Sequence, residues 1–438
     1  MGALLTEAAA KLPAFVSRHP LAPLFDPGTI RARCNAILQA VENNVSPHFT
    51  VDRNALPRAA ERVARLTRER FPDLRIPYHS RWRHFEAGGV DRKALLDARL
   101  EGCGAAEAAR VRIDLTVVSV LLDAGAGGGW RYVDGDEGSA SYSRSEGLGV
   151  ASFNAFMQGS FSDDPAAPLR ADAALLERMD VALLRPLFQA GPTNTMVGLE
   201  GRAGLLERLG AALRTETAST DLPARPGLLY DRITASGTRR SVSATEILDQ
   251  VLRLLGPIWT SGSRVQSLLA GDVWPHAWAG ASVGPAAAAV IGADTDPTTG
   301  GWVPFHKLSQ WLTYSLLEPL QWAGVEVTGV EALTGLPEYR NGGLLLDSGV
   351  IVPRNPRSMA RTWKPQDEFI VEWRALTVAL LDELALQVRQ QLGDKTAAEL
   401  PLACILEGGT WAAGREIARE LRADGVPPLR IDSDGTVF

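Results

Sequence analysis

Two segments of the chain combine residue types that can do chemistry. The first, WVPFHKLSQWLTYSLLEPLQWAG from Trp302, opens an aromatic-rich helical pattern on His306 and Lys307 and carries Trp311 one turn later. The second, VEALTGLPEYRNGGLLLDSGV from Val330, sets Glu338, Tyr339 and Arg340 in a turn. A lysine at the head of so apolar a helix needs a counter-charge, because burying an unpaired ammonium is costly. Glu338 is its expected partner. Six of the eleven tryptophans, at 259, 274, 278, 302, 311 and 322, crowd the same region, which reads as core.

Other segments carry weaker signals. Tyr78 to Arg92, YHSRWRHFEAGGVDR, gathers Arg81, Arg83 and Arg92 with His79 and His84. Guanidinium forks suit a phosphate or a carboxylate, although these arginines can equally pair with Glu86 and Asp91 in a solvated loop. The two histidines lack zinc-ligand spacing, so no metal is expected. VSVLLDAGAGGGW, residues 118–130, places Asp-x-Gly-x-Gly after an apolar run, as in the cofactor loop of a SAM-type methyltransferase. The polar hairpin pattern that follows favours a plain glycine turn beside a pocket. Glu372 and Arg374 stand two apart in VEWRALTVALLDEL, a spacing that points them in different directions on a helix and suits an interior scaffold. In LEGGTWAAGR, Gly408 and Gly409 read as an anion-holding nest or as a turn.

The elements that must position these residues are mostly helices. Apolar residues recur at helical spacing over Leu56 to Phe71, Ala171 to Gln189, Gly201 to Arg214, Ala244 to Leu255, Lys307 to Trp322 and Asp367 to Leu392. Strand character is confined to Val111 to Leu122, which includes Asp114, and to Trp130 to Val133 before Asp134-Gly135-Asp136. The fold class is therefore mainly α with a small β-hairpin or sheet. The chain reads as one large helical domain, or as two lobes over about 1–215 and 228–438 with the site between them, joined by Thr215 to Gly227. Pro285 to Gly301 reads as a second loop.

Composition narrows the function. With 45 Lys plus Arg against 51 Asp plus Glu, the net charge of −6 argues against a non-specific nucleic-acid or membrane-surface binder. No apolar stretch approaches the roughly 18 residues of a membrane span, and the alanine-rich N-terminus carries Glu7 and Lys11 instead of a signal peptide. Cys34, Cys103 and Cys404 are too scattered for a disulfide framework, which implies a reduced, cytoplasmic setting. Small-molecule chemistry is favoured; the oligomeric state is left open.

RIPYHSRWRHF, VSVLLDAGAG, VGLEGRAGLL, PFHKLSQWLTYSLLEPL, LTGLPEYRNGGLLLDSGV and LEGGTWAAGR together resemble the uracil-catabolism protein family, of the domain-of-unknown-function 1688 type. That resemblance spans almost the whole chain. It implies a pathway in which uracil is joined to a ribose phosphate, its ring is opened and urea is released, with a member acting on a ribosylurea-type intermediate.

A second, remote similarity is to the queuosine-nucleotide salvage glycosylases, which cleave a ribose N-glycosidic bond within a helical, DNA-glycosylase-like body. HKLSQWL resembles their Lys-Arg-Ala-Gln helix and LPEYRNGG their Ala-Asp-Tyr-Arg turn. The similarity implies Lys307 as the pocket lysine and Glu338 as the catalytic carboxylate. VEWRALTVALLDEL and YSRSEGLGVASFNAF match further segments in the same order. Glutamate replaces their aspartate, and Ser145-Glu146 replaces a Tyr-Trp, so a smaller, more polar aglycone such as urea is implied.

The implied substrate contacts around Lys307 and Glu338 are Tyr339, Arg340, His306 and Trp311. Asp114, Glu146, His84 and Glu372 extend that set. The arginine cluster of Arg81, Arg83 and Arg92, or Arg144, is expected to hold a 5′-phosphate. The implied substrate is a small ribosyl or phosphoribosyl molecule, with no cofactor. A methyltransferase and a non-enzymatic pathway scaffold are the alternatives.

Overall fold

The computed structural model describes residues 20–432, apart from residues 124, 136–139, 221, 260–262, 266–267, 280–295 and 297. The N-terminal segment with Glu7 and Lys11, and most of the Pro285 to Gly301 loop, lie outside the described residues. The elements that matter for the site begin with α1 (Pro27–Glu42), α2 (Leu56–Arg70), the short α3 (Arg81–Phe85) and α4 (Ala105–Leu121). A hairpin of β1 (Tyr132–Asp134) and β2 (Ala140–Tyr142) leads into α5 (Arg144–Met157), followed by α6 (Leu199–Thr217) and α7 (Ala244–Leu255). Strands β3 (Val273–Pro275) and β4 (Trp302–Pro304) pair antiparallel just before α8 (Lys307–Trp322). The chain then runs through α9 (Tyr339–Asp347), α10 (Glu368–Gln391) and α11 (Trp411–Leu421). The fold is mainly α, and its described strands form only two-stranded pairs.

The helix α10 is the spine. It is apolar on nearly every side, from Phe369 through Val388, as befits a helix surrounded by protein. It packs on α1 and α2, while α8 packs on α4 and α7, and α9 on α11. One hydrophobic cluster takes in residues from Ile30 to Leu429, with members on both sides of the Thr215 to Gly227 segment. No helix among the described residues is long and apolar enough to cross a membrane.

Three sequence expectations are corrected. Val111 to Leu122 is not a strand but lies in and just beyond α4. Its helix is buried all round, so it shows no polar face, and an apolar run read without its Ala-Glu-Arg-rich approach is ambiguous between the two periods. Ala171 to Gln189 is two short helices, Ala173–Leu176 and Val181–Leu187, because Asp180 caps a new start by accepting from the Leu183 N–H. Thr215 to Gly227 is no loose linker: α6 continues to Thr217, and Arg225 and Gly227 are bonded to the buried Asp114 on α4.

Two glycines allow close packing near the site. A Cβ on Gly342 would fall 2.3 Å from the Trp373 ring of α10, and one on Gly414 would fall 2.2 Å from the Arg340 carbonyl. These contacts bring the start of α9 hard against α10 and α11.

Candidate active site

The start of α8 is held by Asp272. Its carboxylate accepts from the Lys307 amide at 3.0 Å, the Trp274 indole at 2.7 Å, and both Arg374 terminal nitrogens at 2.7 and 2.8 Å. Burial opposes ionisation of this carboxyl, yet Arg374 and the amide and indole donors hold it below its ordinary value. Preceding Lys307, His306 adopts a left-handed backbone, φ 47°, which is uncommon for a non-glycine residue. Its buried ring stacks on Phe25 and bonds the Leu24 carbonyl, so the side chain braces the helix start.

Lys307 is half-buried, and no carboxylate among the described residues lies within ion-pair distance of its ammonium. Burial holds the ammonium below its ordinary range; Glu338 and then Asp123 act against that shift. Glu338, Asp123 and Asp272 thus favour its charge, and Arg374 opposes it, with no ion pair formed by the ammonium.

Glu338 is the N-cap of α9, and its two oxygens accept from the Arg340 and Asn341 amides at 2.7 and 2.6 Å. Helix caps favour the shorter Ser, Thr, Asp and Asn, so the longer glutamate is unusual here. The amides fix its carboxylate at the positive end of a helix. Tyr339 beside it has its phenol pushed up to about 12 by burial and by the Glu338 charge.

Asp123 was not among the predicted site residues. Read in sequence, it opens a cofactor loop; in the structure it follows the C-terminus of α4 and lies 3.1 Å from the fully buried Arg81. Arg81 also donates to Ser119 Oγ at 2.6 Å and to the Ser145 carbonyl at 3.2 Å. The methyltransferase alternative fails on this geometry, because a helix precedes the glycines and a hairpin follows them, not the strand–loop–helix unit that cradles a nucleotide.

One wall is aromatic. His84 meets Trp311 edge-on at 5.9 Å and Trp411 at 6.3 Å, and the Arg81 guanidinium lies 5.8 Å from the Trp311 ring centre. Burial, reinforced by Arg81, holds His84 down to about 4, so it is neutral at neutral pH. Glu146, near the start of α5, accepts from Arg415 at 2.8 Å.

A cationic rim adjoins α9. Arg340 bonds the Gly425 carbonyl at 3.1 Å, and a Cβ on Gly425 would touch Arg419 Cγ at 2.8 Å. Arg415 and Arg419 share a face of α11. Arg144 opens α5 two residues before Glu146, in a left-handed backbone with φ 53°. Burial and the charges of Arg144, Arg415 and Arg419 outweigh Glu338 and lower the Arg340 guanidinium from its ordinary value. Arg144 and Arg419 are exposed and have no ion-pair partner among the described residues.

Several predicted contacts are committed elsewhere. Arg83 pairs with Glu86 and Glu318, and Arg92 with Asp134, so of the early arginines only Arg81 reaches the site. Asp114 is fully buried and accepts from Arg225 and the Gly227 amide. Glu372 accepts from Ser46 Oγ at 2.5 Å and lies 3.4 Å from His276, apart from Arg374 as its spacing implied. Gly408 and Gly409 form neither a nest nor a turn but a π-helical stretch, Leu406–Thr410, packed on Thr67. A separate groove of about 580 Å³, lined by Tyr78, Glu318, Trp322, Glu331 and Cys404, lies at the far end of α8 from Lys307. Among the described residues no group of three or more His, Cys, Asp or Glu side chains could hold a metal ion.

The chain is 37% identical over 430 residues to Protein urg3 of Schizosaccharomyces pombe, covering 97% of this chain and 100% of that protein. It is 38% identical over 388 residues to Uracil catabolism protein 4 of Lachancea kluyveri, covering 83% of this chain and 85% of that protein. The profile of a family described as protein of unknown function, DUF1688, matches residues 23–438. This chain belongs to the DUF1688 family.

Proposed function

We propose that the protein is an N-ribosyl hydrolase of uracil catabolism that releases urea from ribosylurea or its 5′-phosphate. The pathway is carried over from the name of the Lachancea relative, and the reaction class from the similarity of the Lys307 and Glu338 segments to nucleotide-salvage glycosylases. The observation that carries the reading is the half-buried Lys307 ammonium, without an ion pair yet acted on first by the charges of Glu338 and Asp123. Such an arrangement suits a sugar ring that becomes positive as its C–N bond breaks.

In this mechanism water adds to C1′, the C1′–N bond electrons leave with the urea nitrogen, and that nitrogen gains a proton. Glu338, held by two amides, stabilises the oxocarbenium-like transition state and orients the water. Lys307 binds a ribose hydroxyl. Asp123, anchored by Arg81, accepts the proton from water. Where the sugar carries a 5′-phosphate, the Arg144, Arg340, Arg415 and Arg419 rim offers forks to hold it. The test is urea release from chemically prepared ribosylurea, with and without the phosphate; absence of release from both would remove the proposal.

A further inference from the structure

Gln310 and Trp311 leave a gap in the hydrogen bonding of the interior. Gln310 is fully buried, yet neither its Oε1 nor its Nε2 has a hydrogen-bond partner among the described residues. The indole N–H of the buried Trp311 is likewise unpartnered, and so is Nη2 of the buried Arg81, whose guanidinium lies over the Trp311 ring. Gln310 and Trp311 stand three and four residues after Lys307, so they follow it on the same side of α8. Buried polar groups are almost always satisfied, and each one left bare costs about 1–3 kcal/mol. Four such atoms, three on consecutive residues of α8 and one on the guanidinium 5.8 Å from the Trp311 ring centre, mark a place where something else supplies the bonds.

The chemistry of those atoms restricts what fits. Gln310 Nε2, Trp311 Nε1 and Arg81 Nη2 donate only, while Gln310 Oε1 accepts only. A carboxylate or phosphate would satisfy the donors and leave Oε1 facing another lone pair. An ammonium would do the reverse. A planar group with a carbonyl flanked by N–H satisfies both sets, as a carboxamide or ureido group does.

We infer that Gln310, with Trp311 and Arg81, forms a recognition site for a neutral ureido or carboxamide group, the leaving half of the substrate. This deepens the hydrolase reading and rests on it for the identity of the other half. Gln310 binds the group directly, its carboxamide facing the ligand's in a two-bond pair.

The probe is N-methylurea, which contains no glycosidic bond and is not cleaved. Its binding is measured by ligand-observed NMR on the full chain and on Gln310→Met, which keeps the side-chain volume and removes the donor and acceptor. The wild type is expected to bind, Gln310→Met to bind at least about tenfold more weakly, and its melting temperature to be equal or higher. Equal binding by both proteins, or none by the wild type, would overturn the inference. If Gln310→Met melts lower, Gln310→Glu, which keeps an acceptor but loses the donors, decides on the same criterion. A wild type that binds the probe through Gln310 but releases no urea from ribosylurea would refute the hydrolase reading alone. Equal urea release by wild type and Gln310→Met would refute only the role of Gln310.

Discussion

The Arg374 guanidinium grips Asp272 through both terminal nitrogens, at 2.7 and 2.8 Å, while the same carboxylate receives the Lys307 amide. The pair joins the spine helix α10 to the first residue of α8, so the position of the Lys307 backbone depends on an ion pair deep in the protein. Removing one partner leaves the other charge buried. Asp272→Ala is therefore expected to cost about 3–5 kcal/mol, read from guanidinium denaturation. Asp272→Asn, which keeps the shape and acceptor oxygen, should cost less; equal, negligible effects of both would show that the pair does not hold the helix.

Acid should unfold the protein partly through His84. Burial and then Arg81 hold it at about 4 in the fold, against an ordinary value of 6.5. Asp123 and Glu146 pull the other way, and His79 adds to the lowering. The unfolded chain takes up this proton first, so the stability contributed by neutral His84 is present above about 6.5 and is lost as pH falls toward 4. Between pH 7 and 4.5 the loss amounts to about 2 kcal/mol. His84→Gln should flatten the decline in guanidinium midpoint by about that amount, and an unchanged decline would contradict the assignment.

Arg144 offers a separation of stability from binding. Its left-handed backbone strains any residue with a Cβ, so Arg144→Gly should leave stability equal or raise it by up to about 1 kcal/mol. The same change removes one fork from the rim. KM for phosphorylated ribosylurea should rise about tenfold or more, with the unphosphorylated compound little affected. A matching rise for both substrates would place Arg144 outside a phosphate site.

The helices were legible because long amphipathic or strongly apolar repeats leave few alternatives: Ala244–Leu255 and Lys307–Trp322 have the bounds that periodicity gives. Val111 to Leu122 misled because a helix buried on every side erases its own period. In the site, the Lys307 and Glu338 segments announce themselves by a charge set in apolar surroundings. Asp272 does not, since Gly-Asp-Val-Trp carries no motif and its importance comes from Arg374, far along the chain. The early arginines left an anion site open because, apart from Glu86 beside Arg83, their partners Asp123, Glu318 and Asp134 are remote in sequence. Asp123 was overlooked for a related reason: the glycines after it suggested a cofactor loop, while its distance from Arg81 and its charge coupling to Lys307 exist only in three dimensions.

Asp123 provides a check on the proton path. Asp123→Asn keeps its volume and removes the negative charge beside Arg81, so kcat for urea release should fall by about 100-fold or more, the scale of general-base catalysis. KM should move little. A change confined to KM would recast Asp123 as a binding group.

The most direct test of the account is the single-turnover rate of urea release from ribosylurea by wild type and Glu338→Gln. Glutamine keeps an oxygen for the α9 amides, so the fold should lose no more than about 1 kcal/mol. The account predicts release by the wild type and a loss of at least about a thousandfold in Glu338→Gln. Equal rates in the two proteins, or no release by the wild type, would contradict it.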